Sequence, residues 1–336
     1  MDLVTGGSGF IGRHVVAELV RRGEDVRVYD LRPLARQTME ALHDRANGRS
    51  SMETVVGDIL DVGSLRQAMQ GCRRVFHLAA DPNLWHADPH HFDRVNREGT
   101  EVVLRVAKEL HVERVVHTST EAVLMPRRAG GPVTEDVEVG LCDMLGPYCR
   151  SKFLAECSAF AFAKAGLPVV VVNPTTPVGP GDITATPPTR MFIDFLTRRM
   201  PAYLNARIDF VDVRDAALGH VLAAERGMPG RRHLLAGWPT ELGDVLTRLA
   251  RIAERPAPRL RLPYAVALSF ACGEALVGRI TKRPPRAPLC GVRLARRGVT
   301  FDPSWTRARL GLRPRPLDES LRDTVQWLRA TGRVPS

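Results

Sequence analysis

"VTGGSGFIG", residues 4–12, decides the fold. It lies between a short apolar run, "DLVT" (2–5), and an amphipathic one, "IGRHVVAELVRRG" (11–23). Its glycines keep a Gly7-x-Gly9-x-x-Gly12 spacing, and Gly6, Gly9 and Gly12 give a second register of the same turn. Glycine suits a strand that turns sharply into a helix, because backbone must approach an anion with no β-carbon in the way. The helix then offers free N–H groups and the positive end of its dipole to a pyrophosphate. The next apolar run, "DVRVYD" (25–30), ends on Asp30. A carboxylate there accepts hydrogen bonds from adenosine ribose hydroxyls and repels a 2′-phosphate, which favours NAD over NADP. Arg32 is the argument for NADP as the alternative.

The pattern continues outward. "METVVGD" (52–58), "RRVFHLAA" (73–80), "ERVVHTST" (113–120) and "LPVVVVNP" (167–174) read as further strands, with helices near 62–70, 92–110 and 148–165. Short apolar strands alternating with helices predict parallel β-α-β units, and right-handed crossovers make them a doubly wound α/β sheet. "NPTTPVGPGDITATPPT" (173–189) is too rich in Pro, Gly and Thr for a regular helix and reads as a loop. Beyond it come helices near 213–226, 240–254, 263–278 and 317–331 and a strand at 232–237. These predict a smaller lobe, with substrate between the lobes at the C-terminal strand edge.

Composition bounds the partners. The 336 residues carry 48 Lys and Arg against 37 Asp and Glu, a formal charge of +11. Only four of the 48 are Lys, and the Arg are spread along the chain. That reads as a solvated surface rather than a nucleic-acid face, with a local anionic-substrate or lipid-facing patch as the minority reading. Six Cys occur, at 72, 142, 149, 157, 272 and 290, without metal spacing, so reduced thiols and no metal are expected. The first strand starts almost at Met1, which leaves no room for a signal peptide and predicts a cytoplasmic protein. The most apolar stretch, 264–278, is too short to span a bilayer and contains Glu274. It reads as core, as an apolar substrate channel, or as a peripheral membrane contact.

"GPYCRSK" (146–152) carries the chemistry. Tyr148 and Lys152 lie one helical turn apart, a rare pairing in a chain with four Tyr and four Lys. A cationic Lys there lowers the phenol from its ordinary pKa of about 10, so that Tyr exchanges a proton with an alcohol.

Together these stretches resemble the extended short-chain dehydrogenase/reductase family. "TGGSGFIG" (5–12) resembles its cofactor motif, which assigns Gly6, Gly9, Phe10, Ile11 and Gly12 to the turn. "GDI" (57–59) resembles its adenine contact, implying Asp58 and Ile59, and "HLAA" (77–80) its strand beside the nicotinamide ribose, implying Leu78, Ala79 and Ala80. "NREGT" (96–100) matches the start of its central helix, and "HTST" (117–120) its Ser/Thr strand. The resemblance then implies that Lys152 also anchors the nicotinamide ribose, that Thr120 holds the substrate oxygen, and that Thr118 and Pro174 line the nicotinamide. It implies a Rossmann domain over 1–174 and a substrate lobe over 175–336, some of whose segments return to the sheet. A homodimer through helices 92–110 and 148–165 is also implied.

Residues 173–189, 198–227 and 291–332 are similar to the hopanoid-associated sugar epimerase group, near dihydroflavonol reductases and 3β-hydroxysteroid dehydrogenases. The expected function is hydride transfer at a secondary alcohol or ketone of a sugar or lipid-linked small molecule, by an epimerase or a dehydrogenase. A reductase of apolar ketones and a non-catalytic dinucleotide sensor are the alternatives. Trp85, His86 and Glu121 are candidate substrate contacts, or plain surface; His77 is expected to pack in the sheet. Nucleotide-sugar members of the family carry an Arg before the Asp-Phe of "ARIDFVDVRD" (206–215), where it grips the diphosphate. Ile208 stands there, and Arg207, one residue earlier on an extended segment, faces the other way.

Overall fold

The computed structural model describes residues 1–335 except 36–37, 41–47, 49, 129 and 259. The main sheet has seven strands: β1 (Asp2–Thr5), β2 (Val26–Asp30), β3 (Met52–Val56), β4 (Arg74–His77), β5 (Arg114–Thr118), β6 (Val169–Pro174) and β10 (Arg232–Leu235). Their spatial order is β10-β6-β5-β4-β1-β2-β3 and every pairing is parallel. The valine runs explain this: strands covered on both faces need no polar alternation, and residues 169–172 are four valines in a row, all buried.

Helices cover both faces. On one, α1 (Phe10–Arg21) and α6 (Val213–Arg226) bury Val15, Val16, Leu19, Ala217 and Val221 against the sheet. On the other, α2 (Val62–Met69), α3 (Gly99–Glu109) and α4 (Gly146–Lys164) bury Leu65, Val103, Leu104 and Ala159. The order reverses at β1, which has β2 on one side and β4 on the other. A crevice opens at such a point beyond the strand ends, and the glycine turn lies there.

The structure departs from expectation in several places. Residues 173–189 are not one loop: β7 (Thr176–Val178) pairs with β9 (Arg207–Asp212), and α5 runs from Pro187 to Leu196. The Pro pair that argued against a helix occupies its first turn, where a missing N–H costs nothing. The helix expected over 92–110 begins as a π-helical turn, Asp93–Glu98, before α3. β11 (Trp238–Glu241) joins β9 and β7 in a three-stranded sheet. It packs with α5, α7 (Leu242–Ala253) and α11 (Leu317–Ala330) around Phe192, Phe210, Leu246 and Leu321. β8 (Ala202–Tyr203) pairs with β12 (Leu260–Arg261). The outer helices α8 (Tyr264–Thr281), α9 (Leu289–Arg297) and α10 (Ser304–Leu310) complete the chain.

Candidate active site

The glycine turn is shaped by contact. Gly6 has φ +72°, and a β-carbon on it would lie 2.5 Å from the Ala79 nitrogen; one on Gly12 would lie 2.1 Å from the Gly6 carbonyl oxygen. Only glycine lets the helix close on the turn and the turn on the end of β4. Gly9 caps α1, and the first bond back along the helix is the Arg13 N–H to the Gly9 carbonyl, at 3.1 Å. The N–H groups of Phe10, Ile11 and Gly12 therefore form the open helix end. Asp30, at the end of β2, accepts from the Ser8 N–H at 3.0 Å and the Arg32 N–H at 3.2 Å. Its carboxylate thus fixes the turn and stands at the crevice, while Arg32 is exposed. Ile59 is buried against Gly99, and the exposed Asp58 accepts from the Leu60 N–H at 3.0 Å. Leu78, Ala79 and Ala80 are half-buried beyond β4. A cradle that a β-carbon would fill, a free helix end and a carboxylate fit a dinucleotide such as NAD.

The reactive side chains gather where β5 meets α4. Thr120 donates to the Glu121 carboxylate at 3.0 Å and accepts from the Ala122 N–H at 3.3 Å. Lys152 is buried and its Nζ donates to the Thr118 carbonyl at 2.6 Å; burial lowers its pKa to about 8, with Glu156 opposing. The Thr118 hydroxyl lies 2.9 Å from Nε2 of His220, whose Nδ1 donates to the Ala216 carbonyl. Thr118 is therefore the donor in the first of these bonds. Burial pushes the Tyr148 phenol well above its ordinary range, a hydrogen bond with Thr120 pulls it down, and the Glu121 charge pushes it up again. The lowering expected from Lys152 does not govern here, because the amine is turned to Thr118. Burial likewise raises Glu121 to about 7, against hydrogen bonds from Thr120 and Thr176.

Three residues outside the expected site set hold this region together. Asn96, fully buried in the π-helical turn, accepts from the Asp81 N–H at 2.8 Å and donates to Ser151 of α4 at 3.0 Å. A π-turn re-aims one side chain out of the helical register, and here it joins the loop after β4 to α4. Asn173 donates to the Thr120 carbonyl at 3.2 Å and to Glu156 at 2.9 Å, and Glu156 pairs with Arg232 at 2.7 Å. The signal for Asn173 was an amide closing a run of valines. Phe92 is buried with its ring 6.2 Å from that of Tyr148.

The substrate candidates separate. Glu121 lies in the reactive cluster. His86 stacks on His91 at 3.8 Å and its ring lies 6.2 Å from that of Phe92, which in turn packs against Tyr148. Trp85 lies against α8, 3.5 Å from where a Gly278 β-carbon would be. His77 is buried between the Thr5 and Thr100 hydroxyls, at 2.8 and 3.0 Å. Pro174 is buried at the end of β6. Arg207 is half-exposed and held by Glu241 at 3.3 Å and Thr300 at 2.9 Å, while Ile208 packs on the core of the smaller sheet. A concavity of about 900 Å³ lies between the outer faces of α3 and α4, lined by Arg97, Arg150 and Leu154 among others but not by Thr120, Tyr148 or Lys152.

Residues 3–237 match the model of the NAD dependent epimerase/dehydratase family. A protein of Synechocystis sp. provisionally named a dihydroflavonol 4-reductase is 36% identical, over 98% of this chain and 95% of its own. Sterol demethylase protein B of Methylococcus capsulatus is 32% identical over 99% of both. Among solved structures, MoeE5 in complex with UDP-glucose and NAD superposes with a TM-score of 0.73 at 25% identity, covering 98% of this chain and 99% of that one.

Proposed function

The chain belongs to the NAD dependent epimerase/dehydratase family, an NAD-dependent oxidoreductase or epimerase of the extended short-chain dehydrogenase/reductase type, and we propose that it interconverts a secondary alcohol and a ketone on an apolar, polycyclic or lipid-linked molecule. In this reading residues 1–174 hold NAD and 175–336 form the substrate side, with β10 returning to the main sheet. Gly6, Gly9 and Gly12 with the N–H groups of Phe10 and Ile11 receive the pyrophosphate, and Asp30 the adenosine ribose. Asp58 and Ile59 flank the adenine; Leu78, Ala79, Ala80, Thr118 and Pro174 flank the nicotinamide end.

NAD supplies the hydride carrier at the carbinol carbon. Thr120 positions the substrate oxygen and stabilises the charge that develops on it. Tyr148 moves the proton. Burial favours the protonated phenol, which in the reductive direction donates to the forming alkoxide; in the oxidative direction its phenolate form, which the positive charge of Lys152 would favour, takes the alcohol proton. Lys152, beside the end of β5, anchors the nicotinamide ribose and supplies positive charge.

One observation carries the substrate class: Ile208 stands where a diphosphate clamp would put an Arg, and Arg207 is engaged elsewhere by Glu241 and Thr300. An Arg fork makes two charge-assisted bonds to a diphosphate, and Ile makes none. The sterol-related name of one relative supports the same class. The test offers sterols, polycyclic alcohols, free sugars and sugar nucleotides with NAD⁺ and follows NADH absorbance and product stereochemistry together. NADH formation from a polycyclic alcohol supports the reading. Turnover of sugar nucleotides alone, or micromolar UDP, dTDP or GDP binding abolished by Arg207→Ala, contradicts it. Epimerisation uses the same Thr, Tyr and Lys and would show as a new epimer without NADH. The open groove between α3 and α4 supports a homodimer through those helices.

A further inference from the structure

We propose that the outer face of α8, with the basic side chains around it, docks on the surface of an anionic phospholipid bilayer. α8 is apolar on two faces. Ala267, Ala271 and Gly278, spaced at helical intervals, are buried against the body of the protein. Val266, Phe270, Leu276, Val277 and Ile280 point the other way and stand in solvent, Phe270 52% and Ile280 75% exposed. A helix that is apolar all round is ordinarily covered on every side, and such a patch marks an interaction surface.

The charge nearby says what covers it. Residues 255–300 contain ten Lys and Arg and a single acid, Glu274, a surplus of nine out of the whole chain's eleven. The Arg are spread along the chain as the sequence suggested, but the acids that balance them elsewhere are missing here. Arg279, Lys282 and Arg283 are exposed at the end of the apolar stripe, and Arg296 of α9 lies over the Tyr264 ring at its start. Glu274 accepts from the Arg286 N–H at 2.7 Å, so the one acid is engaged within the protein. Apolar side chains rimmed by cations match acyl chains below anionic headgroups. No helix among the described residues is long and apolar enough to cross a membrane, so α8 lies in the interface plane. Its inner side touches Trp85, in the loop that follows β4, the strand whose end meets the glycine turn.

The test is vesicle co-sedimentation of the full chain with phosphatidylcholine alone and with phosphatidylcholine mixed with phosphatidylglycerol, at low and high salt. It involves no turnover, so its failure is distinct from that of the substrate reading. The proposal expects binding to the anionic vesicles only, weakened by salt, and at least tenfold weaker for Phe270→Asp/Ile280→Asp and for Arg279→Glu/Lys282→Glu. Retained NAD binding by both variants excludes misfolding. Equal binding of the wild type to both vesicle types, no binding, or unchanged binding by the apolar variant overturns it. So does a dimer that Phe270→Asp/Ile280→Asp converts to monomer, which would assign the face to a second copy of the chain.

Discussion

The Nζ of Lys152 lies 2.6 Å from the carbonyl oxygen of Thr118, joining the reactive turn of α4 to the end of β5. This contact sets the distance between the helix that carries Tyr148 and the strand that leads to Thr120. It also keeps an amine inside the protein, where burial brings its pKa down to about 8.

Lys152→Met should therefore weaken NAD binding and turnover together, each by about ten- to a hundredfold, as expected for loss of hydrogen bonds from a charged donor. Calorimetric titration of NAD and steady-state kinetics check it. A rate effect without a binding effect would remove the ribose-anchor role.

Asp30→Ala should narrow the preference for NAD over NADP by about tenfold or more, because it removes a ribose acceptor and a charge facing the 2′-phosphate. Asp30 also receives the Ser8 and Arg32 N–H groups, so both cofactors should lose some affinity, and the ratio of their dissociation constants is the readout. A wild type that already prefers NADP would show that Arg32 governs the choice.

Glu121 makes stability depend on pH. Burial raises its carboxyl to about 7 from its ordinary 4.5, so the folded protein holds the proton more tightly than the unfolded chain. The stability this contributes is fully present below about 4.5 and is lost as pH rises through about 7. Glu121→Gln is neutral throughout and escapes the loss. Its melting temperature relative to wild type should rise by a few degrees, on the order of 2–6 °C, between pH 5 and pH 8. Parallel melting curves across that range would show that the carboxyl is solvated.

The main sheet was legible because its strands are buried on both faces. Runs such as "LVT", "RVFH" and "VVVV" need no partner to be recognised, and their ends were placed to within three residues. The smaller sheet was not legible as a sheet, although the segment 206–215 read as extended. β9 alternates Ile208 and Phe210 with Asp209 and Val211, yet Asp209 is buried too, bonded to Thr175 and to the Gly237 N–H. A buried, satisfied acid inside a strand reads from sequence as exposed. Helix α9, "LCGVRLARR", does carry an apolar face, but over nine residues it is too short for the period to stand out.

For the site, the glycines, Asp30 and the Tyr-x-x-x-Lys spacing are local patterns. Asn96 and Asn173 act across 55 and 53 residues, to Ser151 and to Thr120; local pattern marks their positions, in "NREGT" and at the end of the valine run, but not those partners.

The central claim is that Tyr148 moves the proton of the redox step, and Tyr148→Phe tests it most directly. Phenylalanine keeps the ring that packs 6.2 Å from Phe92 and removes only the hydroxyl. With a substrate from the alcohol panel, kcat should fall by about 10²–10⁴-fold while the dissociation constant for NAD stays within about twofold of wild type. A variant that binds NAD normally and keeps near wild-type kcat would contradict the account.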